Sequence, residues 1–62
     1  MKVRFRLLDE DRVIEKNGYE AVIFARSIRE NGGTLLVDGK AIDPEHVTQY
    51  ELVEVIRSFC GG

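Results

Sequence analysis

Val3, Phe5 and Leu7 alternate with Lys2, Arg4 and Arg6 near the start of the chain, the period of two that gives a strand one buried and one solvated face. Asp9-Glu10-Asp11 then groups three like charges, which suits a solvated turn, and Arg12-Val13-Ile14-Glu15-Lys16 returns as a second strand. Asn17-Gly18 serves equally as a hairpin turn or as the punctuation before a helix, and the periodicity beyond it decides. Steps of about 100° from Glu20 gather Ala21, Phe24, Ala25 and Ile28 into one arc, with Val22 and Ile23 at its flanks and Glu20, Arg26, Ser27, Arg29 and Glu30 outside it. A strand would put Phe24 and Arg26 on the same face. The spacing therefore predicts a helix over 19–31, ended by the left-handed residue that Asn31-Gly32-Gly33 supplies.

Thr34-Leu35-Leu36-Val37 is apolar and β-branched, and Asp38-Gly39 is a tight-turn pair leading to a short return through Lys40-Ala41-Ile42. In Asp43-Pro44-Glu45-His46, Asp43 is placed to cap and Pro44 to occupy the first helical position, where its missing N–H is harmless; one turn of helix is expected there. From Tyr50 the run through Arg57 favours a strand again. The order is ββαββ: an α+β domain with a mixed sheet of about four strands and one main helix across a single face, the first and last strands free to lie side by side.

With 62 residues the chain makes one small domain, 1–62, with no cleft between domains in which to build an enclosed active site. A composition 44% hydrophobic and 32% charged, at a net charge of −2, predicts a folded chain. The single cysteine cannot form an internal disulfide, so the core must hold by packing, and a reducing, cytoplasmic setting is expected. Charges at every second place near the start leave no apolar leader core, and no stretch approaches membrane-spanning length, so no membrane association is expected.

Most catalytic readings fail on inventory. His46 and Cys60 are the sole imidazole and thiol, whereas a structural zinc site usually needs four such ligands. His46 reads as an exposed loop residue and Cys60 as a small hydrophobe at a strand end. Asn31-Gly32-Gly33-Thr34 lacks the lysine of a phosphate-binding loop and follows a helix instead of opening one. Asp9, Glu10 and Asp11 lack the loop spacing and distal glutamate of a calcium site. Lys2, Arg4 and Arg6 share a strand face, yet acidic residues outnumber basic ones 11 to 9 and no row of aromatics accompanies them, so no nucleic-acid partner is expected.

What remains is Gly61-Gly62, directly after the last strand. Two residues without Cβ make a thin, flexible tail over 60–62 whose carboxylate can enter a narrow site on another protein.

Val53-Glu54-Val55-Ile56-Arg57-Ser58-Phe59-Cys60-Gly61-Gly62 resembles the end of the ubiquitin-like sulfur carriers, the thiamin-biosynthesis carrier and the small subunit of molybdopterin synthase. Leu36-Val37-Asp38-Gly39-Lys40-Ala41-Ile42-Asp43-Pro44-Glu45 is similar to that family's strand, Asn-Gly turn, short return and proline-containing loop. The first half matches in architecture only, and Gln49-Tyr50-Glu51 stands where the family usually opens its last strand with Gly-Asp.

The resemblance implies a β-grasp (ubiquitin-like) fold and a monomeric carrier that is itself no enzyme and binds no cofactor. Gly62 would be the site of covalent attachment: an E1-like adenylating enzyme, using ATP, activates its carboxylate, and a persulfide donor converts it to a thiocarboxylate for a sulfur-acceptor enzyme. Gly61 and Cys60 would give the tail access to the partner. Asp38, Asp43, Glu45, Glu51 and Glu54 outnumber Lys40 and Arg57 in this half, so an electropositive partner surface is expected. Two alternatives stand beside this one: a small interaction or inhibitor domain, of the kind phages encode, working through a sheet face or edge, and a covalent modifier that joins Gly62 to lysines.

Overall fold

The opening alternation forms β1, Lys2–Leu7, with Val3, Phe5 and Leu7 buried and Lys2, Arg4 and Arg6 exposed. The structure is a computed structural model and describes residues 2–57. β1 pairs antiparallel with β2, Arg12–Asn17, from Leu7↔Arg12 to Lys2↔Asn17. The Glu10 N–H donates to the Leu7 carbonyl at 3.3 Å in the connecting turn, and Asp11 closes it at φ 52°, a left-handed conformation that aspartate tolerates better than most residues. Asn17-Gly18 proves to be a helix start. Gly18, at φ 50° and ψ −126°, stands at the N-cap of α1, Tyr19–Glu30, in a backbone region that side chains with a Cβ avoid.

Ala21, Val22, Ala25 and Ile28 bury one side of α1, with Phe24 partly buried and Ile23 exposed. Val22 therefore lies within the arc and not at its flank. The two fully buried alanines let the helix approach the sheet closely, and Phe24 meets Phe5 of β1 edge to face, ring centroids 4.8 Å apart at 67°. At the end of α1 the Gly32 N–H donates to Arg29 O and the Gly33 N–H to Ile28 O. With Gly32 at φ 87°, this is the double bond of a Schellman cap.

β3, Thr34–Val37, turns through Asp38 and Gly39, at φ 52° and 80°, into β4, Lys40–Ala41. Positive φ at both central residues is what a type I′ turn needs, and its twist sends the next residues straight back along the strand. Leu36↔Ala41 and Val37↔Lys40 are paired, and the Ile42 N–H donates to Leu35 O at 2.9 Å. The short return thus forms a strand of its own, and the sheet has five strands where about four were expected.

Pro44–Gln49 is a six-residue 3₁₀ helix, longer than the single turn expected, with Pro44 at its first position. Asp43 does not cap it through its side chain. Its Oδ1 is instead 3.6 Å from Arg29 Nη1, tying the segment to the end of α1. Val47 is fully buried beneath this segment. β5 follows as Leu52–Ile56, starting two residues later than the run from Tyr50 implied.

The strand order is β2-β1-β5-β3-β4. β5 occupies the centre, parallel to β1 (Phe5↔Val53, Leu7↔Val55) and antiparallel to β3 (Leu35↔Val55). The inward residues of these strands and the buried side of α1 form one core, closed by Val47. On β2, at the sheet margin, Lys16 lies over the Phe24 ring with Nζ 5.5 Å from its centroid, so its stem covers the core while the charge reaches solvent. Among the described residues no helix is long and apolar enough to cross a membrane.

Candidate functional site

Because α1 covers one face of the sheet, the outward residues of the central strands define the other. Arg4 lies beside Leu52 and Arg6 beside Glu54, while β3 places Leu36 beside Glu54 and Thr34 beside Ile56. β2 contributes Glu15 and Val13 next to Arg4 and Arg6. Leu52, Ile56 and Val13 are 47%, 45% and 53% exposed, apolar side chains on the open side of a sheet whose other side is already full. Arg4, Arg6, Asp11, Val13, Glu15 and Leu52 line a shallow depression there.

The cations of β1 are partnered along this face. Glu15 meets Lys2 at 3.8 Å and Arg4 at 3.2 Å, and Asp11 stands 3.9 Å from Arg6. Exposed pairs of this kind contribute little stability, about 0–1 kcal/mol each, but they break up the positive row that the sequence displays. His46 is exposed, as expected. Among the described residues no three His, Cys, Asp or Glu side chains come together to hold a metal ion.

The acidic turn is not merely solvated, and here the structure corrects the sequence reading. Asp9 and Glu10 converge on the guanidinium of Arg57, the last described residue. Arg57 Nε and Nη2 lie 3.3 and 3.2 Å from Asp9 Oδ2, and Nη2 also donates to Glu10 Oε2. The backbone explains the meeting. The Leu8 N–H donates to Val55 O at 3.0 Å, carrying the pairing of β1 with β5 one residue past the end of β1, so the turn runs alongside the exit of β5. The hydrogen bond to Glu10 is the main reason the guanidinium holds its proton more tightly than usual; Asp9 adds to it, and desolvation opposes both.

No protein-family model, curated protein or solved structure matches the chain. Cys60, Gly61 and Gly62, and with them the expected tail over 60–62, lie outside the described residues. The structure describes their approach: β5, with the open face on one side and the Asp9–Arg57–Glu10 cluster at its end. Sequence reasoning missed Arg57 as a partner of the turn. The available signal was the side-by-side arrangement of first and last strands, which carries the β1–β2 turn to the end of β5.

Proposed function

We propose that this chain is a ubiquitin-like sulfur carrier of the β-grasp type, a protein substrate whose Gly62 carboxylate is activated and loaded with sulfur by partner enzymes. The observation that carries the reading is the strand order β2-β1-β5-β3-β4, with parallel β1 and β5 at its centre and one helix across one face. That arrangement agrees with the fold implied by the resemblance, and β5 is the strand that continues toward Gly61-Gly62.

The chemistry needs nothing from the interior of the domain. A carboxylate oxygen is a poor leaving group. When it bonds to the α-phosphorus of ATP, pyrophosphate departs and a mixed anhydride results. Attack by the terminal sulfur of a persulfide then forms a C–S bond as AMP leaves, and a second thiol attacks the donor sulfur of the resulting acyl disulfide, so that a new disulfide forms as the S–S bond breaks and the thiocarboxylate departs. The open face beside β5, with Leu52, Ile56 and Glu54, supplies a surface for docking the adenylating enzyme, and Glu54 suits an electropositive partner.

Intact-mass measurement after incubation with ATP, a persulfide source and candidate adenylating enzymes tests this. An oxygen-to-sulfur exchange at the terminus is the expected result, and an isopeptide conjugate to lysine would assign the chain to the modifiers instead. Lack of any adenylate, thiocarboxylate or conjugate with an enzyme that charges a known carrier would refute both. The exposed Leu52, Val13 and Ile56 also favour a second reading, an interaction domain that binds through this face. Such a binder keeps its affinity when a residue is appended after Gly62, whereas a carrier loses its activity.

A further inference from the structure

Asn-Gly occurs twice in the chain, as Asn17-Gly18 and as Asn31-Gly32, and the fold holds the two pairs differently. We infer that Asn17 is a site of spontaneous covalent modification, where the Gly18 backbone nitrogen closes a cyclic imide on the Asn17 side chain, and that the helix cap protects Asn31 from the same reaction. The inference stands apart from the carrier reading.

The reaction consumes only water. The Gly18 N–H gives its proton to base in solution, its nitrogen bonds to Asn17 Cγ, and the Cγ–Nδ2 bond breaks as ammonia leaves. Water then opens the imide at either carbonyl. One opening yields aspartate; the other yields isoaspartate, whose main chain runs through Cβ and Cγ and is longer by a methylene. Glycine as the following residue favours closure, since no Cβ crowds the forming ring and the backbone turns freely.

Both asparagines are exposed, so the difference lies in the hydrogen bonds that hold each peptide. At the end of α1 the Gly32 N–H, the group that would attack, donates to Arg29 O at 3.1 Å, and Asn31 Nδ2, the group that would leave, donates to Ser27 O at 2.8 Å. The Asn31 N–H is itself shared between Ser27 O and Ile28 O. Closing the ring turns the peptide about the Asn31 Cα–C bond, and that rotation breaks the cap.

At the start of α1 these restraints are missing. Among the described residues no group receives the Gly18 N–H and none partners the Asn17 side-chain amide. The Asn17 carbonyl also stands outside the ladder. The Arg4 N–H reaches Glu51 O and the Leu8 N–H reaches Val55 O, both on the β5 side of β1, so the backbone groups of the alternate residues Val3, Phe5 and Leu7 turn toward β2. Their partners are Lys16, Ile14 and Arg12. Lys2↔Asn17 is therefore a pair without ladder hydrogen bonds, and β2 is the margin of the sheet. The peptide between Asn17 and Gly18 is free to rotate into solvent.

Either product adds a negative charge to the net −2, beside an N-cap that offers no side-chain hydrogen bond. Aspartate there faces the positive end of α1, whereas isoaspartate lengthens the link between β2 and α1.

The test holds folded wild-type protein in mildly alkaline buffer, digests samples at low pH, and reads by mass the replacement of NH2 by OH at residues 17 and 31. Asn17 is expected to react about tenfold faster than Asn31, the factor that two additional hydrogen bonds of ordinary strength impose on the latter. In urea the two sites should react at similar rates. Asn17→Gln, whose longer side chain closes a ring less readily, should remove the early acidic species seen on ion exchange, and Asn31→Gln should leave it in place.

Equal reaction at the two sites of the folded protein, or faster reaction at Asn31, overturns the inference. So does an Asn17 that reacts in urea and stays intact when folded, because the strand–helix junction would then hold it as firmly as the cap holds Asn31. A preference as large in urea as in buffer overturns it as well, assigning the difference to the sequence neighbours Lys16 and Glu30 instead of the fold.

Discussion

Gly33 sits where Ile28 leaves no room for a side chain. A Cβ there would lie 2.6 Å from Ile28 Cγ2, 3.1 Å from Ile28 O and 3.3 Å from Ile56 O. The contact joins the last turn of α1 to the end of β5 across the start of β3, so the helix cap and the central strand share one close approach. Gly33→Ala should destabilise the domain by about 1–3 kcal/mol through overpacking. Gly32→Ala, at φ 87° in open space, should lose about 1–2 kcal/mol to left-handed strain alone. Urea unfolding read as a shift in midpoint at constant slope separates these from any change in the denatured state.

Ala25 is fully accounted for by proximity. It is completely buried on the side of α1 that faces the sheet, and its small size sets how closely the helix lies. Ala25→Leu should cost about 1–3 kcal/mol despite greater hydrophobicity, because the added carbons would overpack a fully buried position. A thermal melt showing equal or higher stability would mean the two layers are more loosely packed than described.

Phe5 and Phe24 should couple. Their edge-to-face geometry predicts an interaction energy of about 0.5–1.5 kcal/mol beyond buried area, measurable with a double-mutant cycle of Phe5→Leu and Phe24→Leu. Additive losses would show that the rings merely fill space.

The open face should tolerate change without unfolding. Leu52→Ser and Val13→Ser remove exposed apolar groups and should shift stability by no more than about 0.5 kcal/mol. If the face docks a partner, Leu52→Ser should weaken that complex severalfold in a titration, while Ile23→Ser, on the exposed side of α1, leaves it unchanged.

Salt, and not mild alkali, should loosen Arg57. A base whose folded pKa is raised contributes stability that is complete below its unfolded pKa and is lost only as pH rises through the folded value. For Arg57 the shift is upward from a value already far above neutrality. Between pH 7 and 9 its side-chain order should therefore be constant, apart from global changes. Going from about 0.1 M to about 1 M salt shortens the screening length from about 10 Å to about 3 Å and should increase its mobility, followed by relaxation of the Nε–Hε group.

Much of this fold is legible from periodicity because the buried sides are regular. Val3, Phe5 and Leu7 announce β1, and Ala21, Ala25 and Ile28 announce α1. Gly32-Gly33 also announces the helix end, since left-handed geometry selects glycine. What was not legible depends on distance in sequence. Val22 joined the arc because the core extends further around α1 than four residues define. β4 is too short to carry a pattern and is created by the turn before it. Asp43 has the composition of a cap, but Arg29 lies near enough to claim its carboxylate. Asp9 and Glu10 look solvated until the register of β1 with β5 shows what stands beside them.

The central place of β5 also decides how the domain is made. Without Leu52–Ile56 the sheet does not lose a margin; it separates into β2-β1 and β3-β4, two hairpins with no strand in common. Each would present raw pairing edges and a half-formed apolar side to its surroundings. The partner of β5 at Phe5 is met by Val53, far along the chain, so a long loop must close before that contact forms. The sheet becomes continuous only when the fifth strand inserts, so completion of the domain waits on Leu52–Ile56.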